Sequence, residues 1–415
     1  MKQWNNDMKK SLKVNVIGLG YIGLPTAAIL AKNGYDVLGI DINKELIKKI
    51  NQSEFSNIEP GLDDLLNKAV SKGNLKASTD ARSADIHIIC VPTPIFKNGS
   101  KSAPDLSFVY DAVESIAPNL KRDDLLIIES TISVGTSDEV SSILESVGIE
   151  KGKIHIAHCP ERVIPGNIIV ELVNNDRIVG GLTDQATNLA AEFYESFVIG
   201  KVIKTNARTA ELCKLSENSF RDINIAFANE LSIICDKENI DVWELIGLAN
   251  RHPRVNILQP SVGVGGHCIS VDPWFIVANN EDEAKIIQTA RQVNMSKTDW
   301  VLKKTYSILE SMKLGDKKNV RIGCLGITFK PDVDDIRESP ALKIVKHLIS
   351  SGNDVLVAEP NVIQDMPFKI HDLKTVIQNA DILVILVKHK EFVALQHFRN
   401  LNEKIILDFC GACNE

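Results

Sequence analysis

Short runs of aliphatic and β-branched residues alternate along the first half of the chain with stretches of helical composition. The first run, residues 13–17, ends in a glycine turn, and a helix-like stretch at 27–31 and a second apolar run at 36–41 follow it. Further strand-like runs occupy residues 86–91, 125–128, 154–157 and 177–180. Strands that alternate with helices predict a parallel sheet with helices on both faces.

The same order of strand, helix and strand returns near the C-terminus. The run 352–359 resembles the run 34–41, and the run 380–387 resembles the run 84–91. The repeated elements lie at residues 320–326, 340–350, 352–359, 380–387 and 404–408. The chain is therefore predicted to be an α/β protein with two Rossmann-like, doubly wound parallel-sheet domains.

The middle of the chain has a helical pattern. Apolar residues recur mostly three or four apart between residues 209 and 238, without Pro or Gly, which predicts one long helix. Residues 242–310 are also mostly helical in pattern, apart from a Gly- and Pro-rich loop at 253–273. A helical centre between two sheets commonly places ligands in a cleft and offers a dimer surface. The predicted segments are an N-terminal extension 1–12, a dinucleotide-binding domain 13–207, a central helical domain 208–312 and a C-terminal Rossmann-like domain 313–415.

Composition and charge exclude several classes of protein. The 415 residues include 47 Lys and Arg against 54 Asp and Glu, so the chain has no basic excess of the kind that nucleic-acid binders show. The longest apolar runs have strand length, which predicts no membrane-spanning helix, and the polar N-terminal run does not resemble a secretory signal. Eight scattered cysteines suit reduced thiols in the cytoplasm. Cys410 and Cys413 lack a second pair for zinc, and the histidines lack metal-ligand spacing, so no metal is expected.

The first glycine turn has the spacing of a dinucleotide-binding site. Gly18, Gly20 and Gly23 follow a strand and precede a helix, and Asp41 closes the next strand. Gly18 permits the turn, Gly20 lets the backbone approach a pyrophosphate, and Gly23 lets the helix pack on the sheet. Asp41 would accept hydrogen bonds from ribose hydroxyls and repel a 2′-phosphate, which predicts NAD rather than NADP. The second α/β unit lacks this triplet and is expected to bind another ligand.

Three other places carry residues suited to catalysis. Cys268 follows three glycines and precedes Asp272 by four positions. If that turn opens a helix, its amides would lower the pKa of the thiol; the alternative is a buried cysteine in a glycine-rich turn. Lys214 and Asn218 share one face of the long helix, where they either stabilise an oxyanion or face solvent. Glu161 follows a predicted strand and is either a base or a solvated loop carboxylate.

These motifs together resemble the UDP-glucose/GDP-mannose dehydrogenase family, from about residue 13 to the end of the chain. The resemblance is carried by Gly18-Leu-Gly-Tyr-Ile-Gly-Leu-Pro25, Val91-Pro-Thr-Pro94, Glu129-Ser-Thr131, Cys159-Pro-Glu161, residues 214–218, residues 263–272 and the segment from Phe329-Lys-Pro to Arg337-Glu-Ser. The stretch 251–260, with the glycine turn after it, resembles the branch that oxidises UDP-N-acetyl-D-mannosamine for bacterial surface polysaccharides.

The resemblance implies NAD-dependent oxidation of the C6 alcohol of a UDP-sugar to the carboxylate, with two NAD⁺ reduced per sugar. Cys268 would add to the aldehyde as a thiohemiacetal, whose oxidation gives a thioester that water cleaves. By matching position, the resemblance also implies oxyanion stabilisation by Lys214 and Asn218, proton transfer by Asp272, and positioning or activation of water by Glu161 and Thr131.

The resemblance implies binding residues as well. The NAD contacts are Gly18, Gly20, Tyr21, Ile22, Gly23, Asp41, Pro92, Thr93 and Thr131. The UDP-sugar contacts are Glu161, Arg162, Val163, Lys214, Asn218, Arg254, Gly265, Lys330 and Arg337, the last two in the C-terminal, UDP-sugar-binding domain. Family members place the equivalent of Arg254 in the neighbouring subunit's sugar site, which implies a homodimer through the central helices. Pro165 and Val271 stand where the UDP-glucose enzymes have a second Glu and a Lys, so the division of acid and base roles stays open.

Three other functions remain open at this stage. A UDP-N-acetylglucosamine 6-dehydrogenase differs from the main hypothesis only in pocket shape around the sugar C2 centre. A one-step NAD-dependent hydroxyacid dehydrogenase shares the Rossmann domain and the helix lysine but has no need of Cys268. A non-catalytic sensor of NAD or nucleotide sugars would bind its ligand without turnover.

Overall fold

The structure, a computed structural model, describes residues 12–54, 59–98, 101–314, 319–393 and 404–413. The chain divides into two compact units: unit 1 contains Met1–Ser216 with Trp274–Asn279, and unit 2 contains Glu217–Pro273 with Asn280–Glu415. The predicted N-terminal extension lies outside the described residues except for Leu12. The two units are described separately below.

The strands of unit 1 follow the apolar runs of the sequence. They are β1 (Lys13–Ile17), β2 (Asp36–Ile40), β3 (Leu75–Ser78), β4 (Ile86–Ile89), β5 (Ile95–Asn98), β6 (Lys101–Pro104), β7 (Leu125–Ile128), β8 (His155–His158), β9 (Arg177–Gly181) and β10 (Val202–Asn206). Eight of them form one sheet in the order β10-β9-β8-β7-β4-β1-β2-β3, while β5 and β6 form a separate antiparallel hairpin. Every residue of β4, β7 and β8 is buried, as expected of central strands covered on both faces.

Helices cover both faces of this sheet and fill the middle of the chain. The described helices are α1 (Gly23–Lys32), α2 (Lys44–Asn51), α3 (Leu62–Ser71), α4 (Ser107–Ile116), α5 (Thr136–Ser146), α6 (Ile168–Asn174), α7 (Asp184–Glu195), α8 (Ala207–Glu238), α9 (Val242–Ala249), α10 (Asp272–Asn279), α11 (Lys285–Leu314), α12 (Pro340–Ser350), α13 (Leu373–Asn379) and α14 (Lys390–Val393). The side chains of β7 show the two covered faces directly: Leu125 and Ile127 join one hydrophobic cluster, and Leu126 and Ile128 join another. Among the helices of the described residues, none has the length and apolar character needed to cross a membrane.

The sheet of unit 1 departs from the predicted parallel arrangement at one edge. Within this sheet, β8, β7, β4, β1, β2 and β3 are parallel, but β9 pairs antiparallel with β8 and parallel with β10. The side chain of Arg177, at the start of β9, bonds to Glu161, which lies just beyond the end of β8. Strand β9 therefore begins beyond the carboxyl end of β8, and its last residues, Gly180 and Gly181, pair with the last residues of β8.

The sheet of unit 2 confirms the repeat that the sequence predicts. Its strands are β11 (Arg321–Leu325), β12 (Asp354–Ala358), β13 (Ile370–His371), β14 (Ile382–Ile385) and β15 (Ile405–Asp408). They are all parallel, in the order β13-β12-β11-β14-β15. This order matches β3-β2-β1-β4-β7 of unit 1 strand by strand, so both sheets are α/β sheets of the Rossmann type.

Candidate functional site

The glycine turn after β1 has the shape of a pyrophosphate site. Gly18 has a φ of +89°, and a Cβ on Gly23 would overlap the carbonyl oxygen of Gly18, so neither position accepts another residue without strain. A Cβ on Gly20 would meet no atom of the described residues within 4 Å, so within that part of the chain the space in front of this turn is open. Helix α1 begins at Gly23 without a side-chain cap, and the positive end of its dipole lies at this turn, where an anion is favoured. Tyr21 and Ile22, two further predicted NAD contacts, belong to the same turn.

Asp41 stands at the end of β2 and closes the turn. Its Oδ2 accepts a hydrogen bond from the Leu19 amide at 2.8 Å, and its Oδ1 accepts one from the Asn43 amide at 2.8 Å. The carboxylate is half-buried, so its remaining lone pairs can accept hydrogen bonds from the hydroxyls of a ribose. The open glycine turn, the uncapped helix and this carboxylate fit NAD.

The carboxyl ends of β4, β7 and β8 carry the other predicted residues of unit 1. The 92–93 pair follows β4, Thr131 follows β7 and Glu161 follows β8. Because β1, β4, β7 and β8 are neighbouring parallel strands, their carboxyl ends share one edge of the sheet with the glycine turn. The Ser130 hydroxyl donates to the Val91 carbonyl at 2.8 Å and joins two of these strand ends. Unit 1 thus brings the predicted NAD contacts to a single edge.

Glu161 is buried and paired, so the solvated-loop alternative is wrong. The residue is 5% exposed, its Oε2 lies 2.5 Å from Nη1 of Arg177, and its Oε1 accepts from the Arg162 amide at 2.8 Å. Burial alone would lower the pKa of Arg177, but the charge of Glu161 and of its other neighbours raises it, so the guanidinium stays protonated. Sequence reasoning missed Arg177, because an arginine at the start of a strand carries no signal of a functional pairing.

A second buried carboxylate, Glu129, lies on the same guanidinium. Its Oε1 is 3.9 Å from Nη1 of Arg177 and accepts from the Tyr194 hydroxyl at 2.6 Å, while the Cys90 thiol donates to Oε2 at 3.3 Å. Burial raises the pKa of Glu129, and the positive charge of Arg177 opposes that shift. Beneath the strand ends there is thus a buried cluster of two carboxylates and one guanidinium.

Lys214 lies on α8 and is half-buried. Its charge acts on His158, the last residue of β8: burial lowers the pKa of His158 to about 3, and Lys214 adds to that effect. The imidazole is therefore neutral. The charge of Lys214 is therefore felt at the carboxyl end of β8, the strand that Glu161 follows.

In unit 2, Cys268 occupies the turn that leads into α10. The carbonyl oxygen of Cys268 accepts from the Val271 amide at 3.0 Å and from the Asp272 amide at 2.8 Å. The turn does open a helix, but α10 begins only at Asp272, so Cys268 lies one turn before the first helical residue. The Nδ2 of Asn218 donates to Oδ2 of Asp272 at 2.6 Å, and Asp272 is buried. Three of the predicted catalytic residues therefore belong to one bonded group.

The glycines before Cys268 pack on the segment 328–338 of unit 2. The Gly266 amide donates to the carbonyl of Arg337 at 2.9 Å. A Cβ on Gly265 would lie 2.7 Å from the carbonyl oxygen of Glu338 and 2.8 Å from Cβ of Phe329. The close approach of two backbones explains why position 265 is glycine.

The segment 328–338 also carries the two predicted cations. Arg337 is half-exposed, with Nη2 2.7 Å from Oδ2 of Asp335. Burial opposes the ionisation of Asp335, but hydrogen bonds from Arg337 lower its pKa overall. Lys330 holds its Nζ 6.0 Å from the centre of the Phe329 ring. Arg254, on the loop between α9 and α10, is exposed.

The cysteines and histidines show two further facts. All eight cysteines lie within the described residues, and none of them forms a disulfide. Burial raises the pKa of Cys413 to about 11. Within the described ranges, no three His, Cys, Asp or Glu side chains are grouped so as to hold a metal ion.

A Rossmann sheet with an open glycine turn and a carboxylate that closes the second strand is the architecture of a dinucleotide-binding domain, as in NAD-dependent dehydrogenases. Three family models of the UDP-glucose/GDP-mannose dehydrogenase family match the chain: the NAD binding domain at residues 12–198, the central domain at 208–296 and the UDP binding domain at 323–415. The chain belongs to the UDP-glucose/GDP-mannose dehydrogenase family. It is an oxidoreductase that uses NAD, and the family resemblance of its motifs is confirmed.

Three relatives illustrate the similarity. A UDP-N-acetyl-D-mannosamine dehydrogenase from Campylobacter jejuni is 50% identical over an alignment of 421 positions, which covers 97% of this chain and 100% of that protein. An NDP-N-acetyl-D-galactosaminuronic acid dehydrogenase from Ralstonia nicotianae is 46% identical, with coverage of 96% and 95%. The solved structure of the UDP-D-ManNAc dehydrogenase from Pyrococcus horikoshii has a TM-score of 0.88 and 40% identity, with coverage of 97% and 96%.

Proposed function

We propose that this chain oxidises C6 of UDP-N-acetyl-D-mannosamine to the carboxylate, giving UDP-N-acetyl-D-mannosaminuronate with two NAD⁺ reduced per sugar. The observation that carries the proposal is the position of Cys268 in the turn that leads into Asp272, whose carboxylate bonds Asn218. A one-step dehydrogenase has no use for a nucleophilic cysteine at this place. The choice of sugar is supported by relatives of 40 to 50% identity that bear this substrate in their names.

NAD, when bound, accepts one hydride from C6 in each of the two oxidations. The thiolate of Cys268 adds to the C6 aldehyde, so that a carbon–sulfur bond forms and the carbonyl oxygen becomes the hydroxyl of a thiohemiacetal. The second oxidation removes a hydride and the hydroxyl proton and leaves a thioester. Water then adds, the carbon–sulfur bond breaks, and the carboxylate leaves with one oxygen from that water.

Each remaining residue has a role that suits its surroundings. We assign the stabilisation of the oxyanion to Lys214 and Asn218, and proton transfer to Asp272, whose carboxylate Asn218 orients. Both oxygens of Glu161 already accept hydrogen bonds, from Arg177 and from the Arg162 amide. We therefore assign to Glu161, together with Thr131, the orientation of the attacking water, and not the removal of its proton.

The sugar nucleotide is bound by the cations of unit 2 in this proposal. Lys330 and Arg337 would take the diphosphate, and Arg337 is already held in a fixed orientation by Asp335. Arg162, Val163 and Gly265 would complete the sugar contacts by their matching positions in the family.

A homodimer through the central helices is part of the proposal. In unit 2, Phe220, Phe227 and Ile234 of α8 are 68%, 50% and 48% exposed. A groove of about 290 Å³ lies between α8 and α11 and is lined mostly by apolar residues, among them Phe227 and Ile286. An apolar face of this kind supports burial against a second copy of the chain, into whose sugar site Arg254 would reach.

We also propose the cytoplasm as the place of the reaction, because eight cysteines without a disulfide suit a reducing compartment. We propose bacterial surface polysaccharide synthesis as the use of the product.

The proposal is tested by the NADH produced from a panel of nucleotide sugars. UDP-N-acetylmannosamine should give two NADH per sugar and a kcat/KM at least about tenfold above those of UDP-N-acetylglucosamine, UDP-N-acetylgalactosamine, UDP-glucose and GDP-mannose. The Cys268→Ala variant should form no acid, whereas Cys413→Ala, which removes a half-buried thiol outside the glycine turn, should keep full activity.

Other outcomes would each contradict a different part of the proposal. A preference for another sugar overturns the substrate assignment. One NADH per sugar with free aldehyde from the unaltered chain favours a one-step dehydrogenase, and tight NAD binding without turnover on any sugar favours a sensor.

A further inference from the structure

A buried imidazole lies at the carboxyl edge of the sheet in unit 2, outside the residues assigned above. His389 follows β14 and is 0% exposed. It lies between Glu359, which follows β12, and the segment 328–338, which carries Lys330 and Arg337. No step of the proposed reaction uses this histidine.

Glu359 occupies in unit 2 the position that Asp41 occupies in unit 1. Asp41 accepts from the backbone amides just after β1 and two residues beyond itself. Glu359 repeats both bonds: Oε2 accepts from the Ile327 amide and Oε1 from the Asn361 amide, each at 2.8 Å. The two strand ends therefore share the same backbone arrangement.

The two carboxylates differ in what covers them. Asp41 is half-buried, whereas the side chain of Glu359 is 0% exposed because the ring of His389 lies against it, with Nε2 3.1 Å from Oε2. Where unit 1 leaves room for a ribose, unit 2 holds an imidazole. The imidazole therefore occupies the place beside Glu359 that a ribose would take beside Asp41.

The neighbours of His389 fix its tautomer. Its Nδ1 accepts from the Asp332 amide at 3.0 Å and lies 2.9 Å from Nδ2 of Asn361, so Nδ1 carries no proton. Nε2–H therefore donates to Glu359. Burial opposes the ionisation of Glu359, but the hydrogen bond from His389 lowers its pKa overall, so it remains an acceptor. The Thr328 hydroxyl lies 3.2 Å from Nε2 and donates to the Lys330 carbonyl at 2.9 Å.

The segment 328–338 needs such an anchor. Asp332 has a φ of +57° and Glu338 a φ of +50°, in the left-handed region that residues other than glycine rarely adopt. Near one end, the segment is held through the Asp332 amide by His389. Near the other end, the Arg337 carbonyl accepts from the Gly266 amide, two residues before Cys268. Hydrogen bonds therefore hold the segment on one side at the ring of His389 and on the other side at the turn of the cysteine.

We propose that His389 is a positioning residue for the sugar nucleotide. Its Nδ1 fixes the Asp332 amide, and thereby holds the backbone of 328–338 in the conformation that presents Lys330 and Arg337 to a diphosphate. The proposal rests on the proposed function in one respect, namely that a UDP-sugar is the ligand of these two cations.

The test compares His389→Gln with His389→Asn by calorimetric titration with UDP. The asparagine oxygen can take the place of Nδ1 and keep the bond to the Asp332 amide, whereas the glutamine amide reaches toward the place of Nε2 and loses it. We expect His389→Gln to weaken UDP binding about tenfold and to raise KM for the UDP-sugar by a similar factor. His389→Asn should stay within about threefold of the unaltered chain, and NAD affinity, a property of unit 1, should not change in either variant.

Two further variants complete the experiment. Thr328→Val keeps the volume of the core and removes the hydroxyl between His389 and the Lys330 carbonyl, so it should also weaken UDP binding. It serves as the test if His389→Gln does not fold. His347→Gln, at an exposed histidine of α12 in the same sheet domain, is the matched control and should bind UDP normally.

The outcomes separate this inference from the proposed function. Unchanged UDP affinity in His389→Gln overturns the inference, and where that chain does not fold, unchanged affinity in Thr328→Val does so. Equal losses of UDP affinity in His389→Gln and His389→Asn overturn it as well. If the unaltered chain binds UDP but does not oxidise UDP-N-acetylmannosamine, the substrate assignment fails, and a weaker His389→Gln still supports the anchor. An unaltered chain that does not bind UDP overturns both.

Discussion

At the residue scale, the buried pair of Arg177 and Glu161 is the contact with the largest expected effect. Arg177→Met leaves the Glu161 carboxylate buried without its partner, which should lower the free energy of unfolding by about 3–5 kcal/mol. Adding Glu161→Gln to that variant should recover part of the stability but none of the activity. Urea denaturation and NADH production measure the two effects.

Arg208→Met is the matched control for this prediction. Arg208 pairs with Asp138 at 2.9 Å, but both side chains are at least half exposed, so its loss should cost less than about 1 kcal/mol. If Arg177→Met and Arg208→Met had equal stabilities, the assignment of Arg177 as the buried partner that Glu161 needs would be wrong.

The contrast between Asp41 and Glu161 shows what the sequence can predict about single residues. The spacing of Gly18, Gly20, Gly23 and Asp41 is local, because one strand, one turn and one helix determine it. The partner of Glu161 is not local: Arg177 reaches it only because β9 runs antiparallel to β8. The sequence pattern predicts the strand but not its direction, so it leaves Glu161 open between a base and a solvated carboxylate and does not indicate the buried pair.

Asp41 carries a prediction about cofactor choice. Asp41→Ser removes the charge that repels a 2′-phosphate, and with it the acceptor for the ribose hydroxyls. The kcat/KM with NAD should fall by about tenfold or more, and the ratio of kcat/KM with NAD to kcat/KM with NADP should decrease. Steady-state kinetics with both cofactors measures the ratio, and Asp80→Asn, at an exposed carboxylate after β3, should leave it unchanged. A ratio that stays constant in Asp41→Ser would contradict the assignment.

At the scale of elements, helix α8 was predicted in its extent but not in its buried face. The helix spans Ala207–Glu238, close to the predicted 209–238. However, Phe227 and Ile234 of its apolar stripe are exposed in this chain, whereas Asp222 and Asn229 are fully buried. These polar side chains form hydrogen bonds to Arg291 and Asn294 of α11, which are distant in sequence. Periodicity therefore indicates a helix, but the partners that make a polar face stable cannot be read from it.

The contact between α8 and α11 also predicts a pH dependence of stability. Burial lowers the pKa of Lys297 on α11 to about 7, although its Nζ bonds to Ser232 and lies 3.7 Å from the centre of the Trp300 ring. Above pH 7 the folded chain releases this proton, whereas the unfolded chain keeps it up to about pH 10.4. Because the unfolded state then binds more protons, the free energy of unfolding should rise with pH, by up to about 1.4 kcal/mol per unit between pH 7 and about 9.

Denaturation curves at pH 7, 8 and 9 test this effect. The rise should disappear in Lys297→Met and persist in Lys304→Met, which removes a more exposed lysine of the same helix. An identical pH dependence in Lys297→Met and the unaltered chain would show that Lys297 does not titrate in this range.

At the scale of the whole molecule, the internal repeat was visible in the sequence because it lies in the apolar runs themselves. The five strands of the second sheet reproduce the order of five strands in the first. What distinguishes the two sheets is a set of side chains that pattern alone cannot place, such as His389 over Glu359. The predicted central domain, 208–312, remains a prediction, since contacts group the chain into two units whose boundary falls within α8. The net charge of −7 likewise gives no indication of the local cations Lys330 and Arg337.

The association of two chains is the last prediction, and it belongs to this scale. Phe227→Glu places a charge on the exposed apolar face of α8, where burial against a second copy would leave that charge without water or a partner. Sedimentation velocity at micromolar concentration should therefore change from a dimer to a monomer, while circular dichroism keeps its helical signal because Phe227 is half exposed in the single chain. Activity should fall when the dimer dissociates, since Arg254 of one copy would reach into the sugar site of the other. Ile199→Glu, at a 79% exposed position of unit 1, should remain a dimer. A Phe227→Glu chain that sediments as a dimer with full activity would mean that the apolar face of α8 is not the interface.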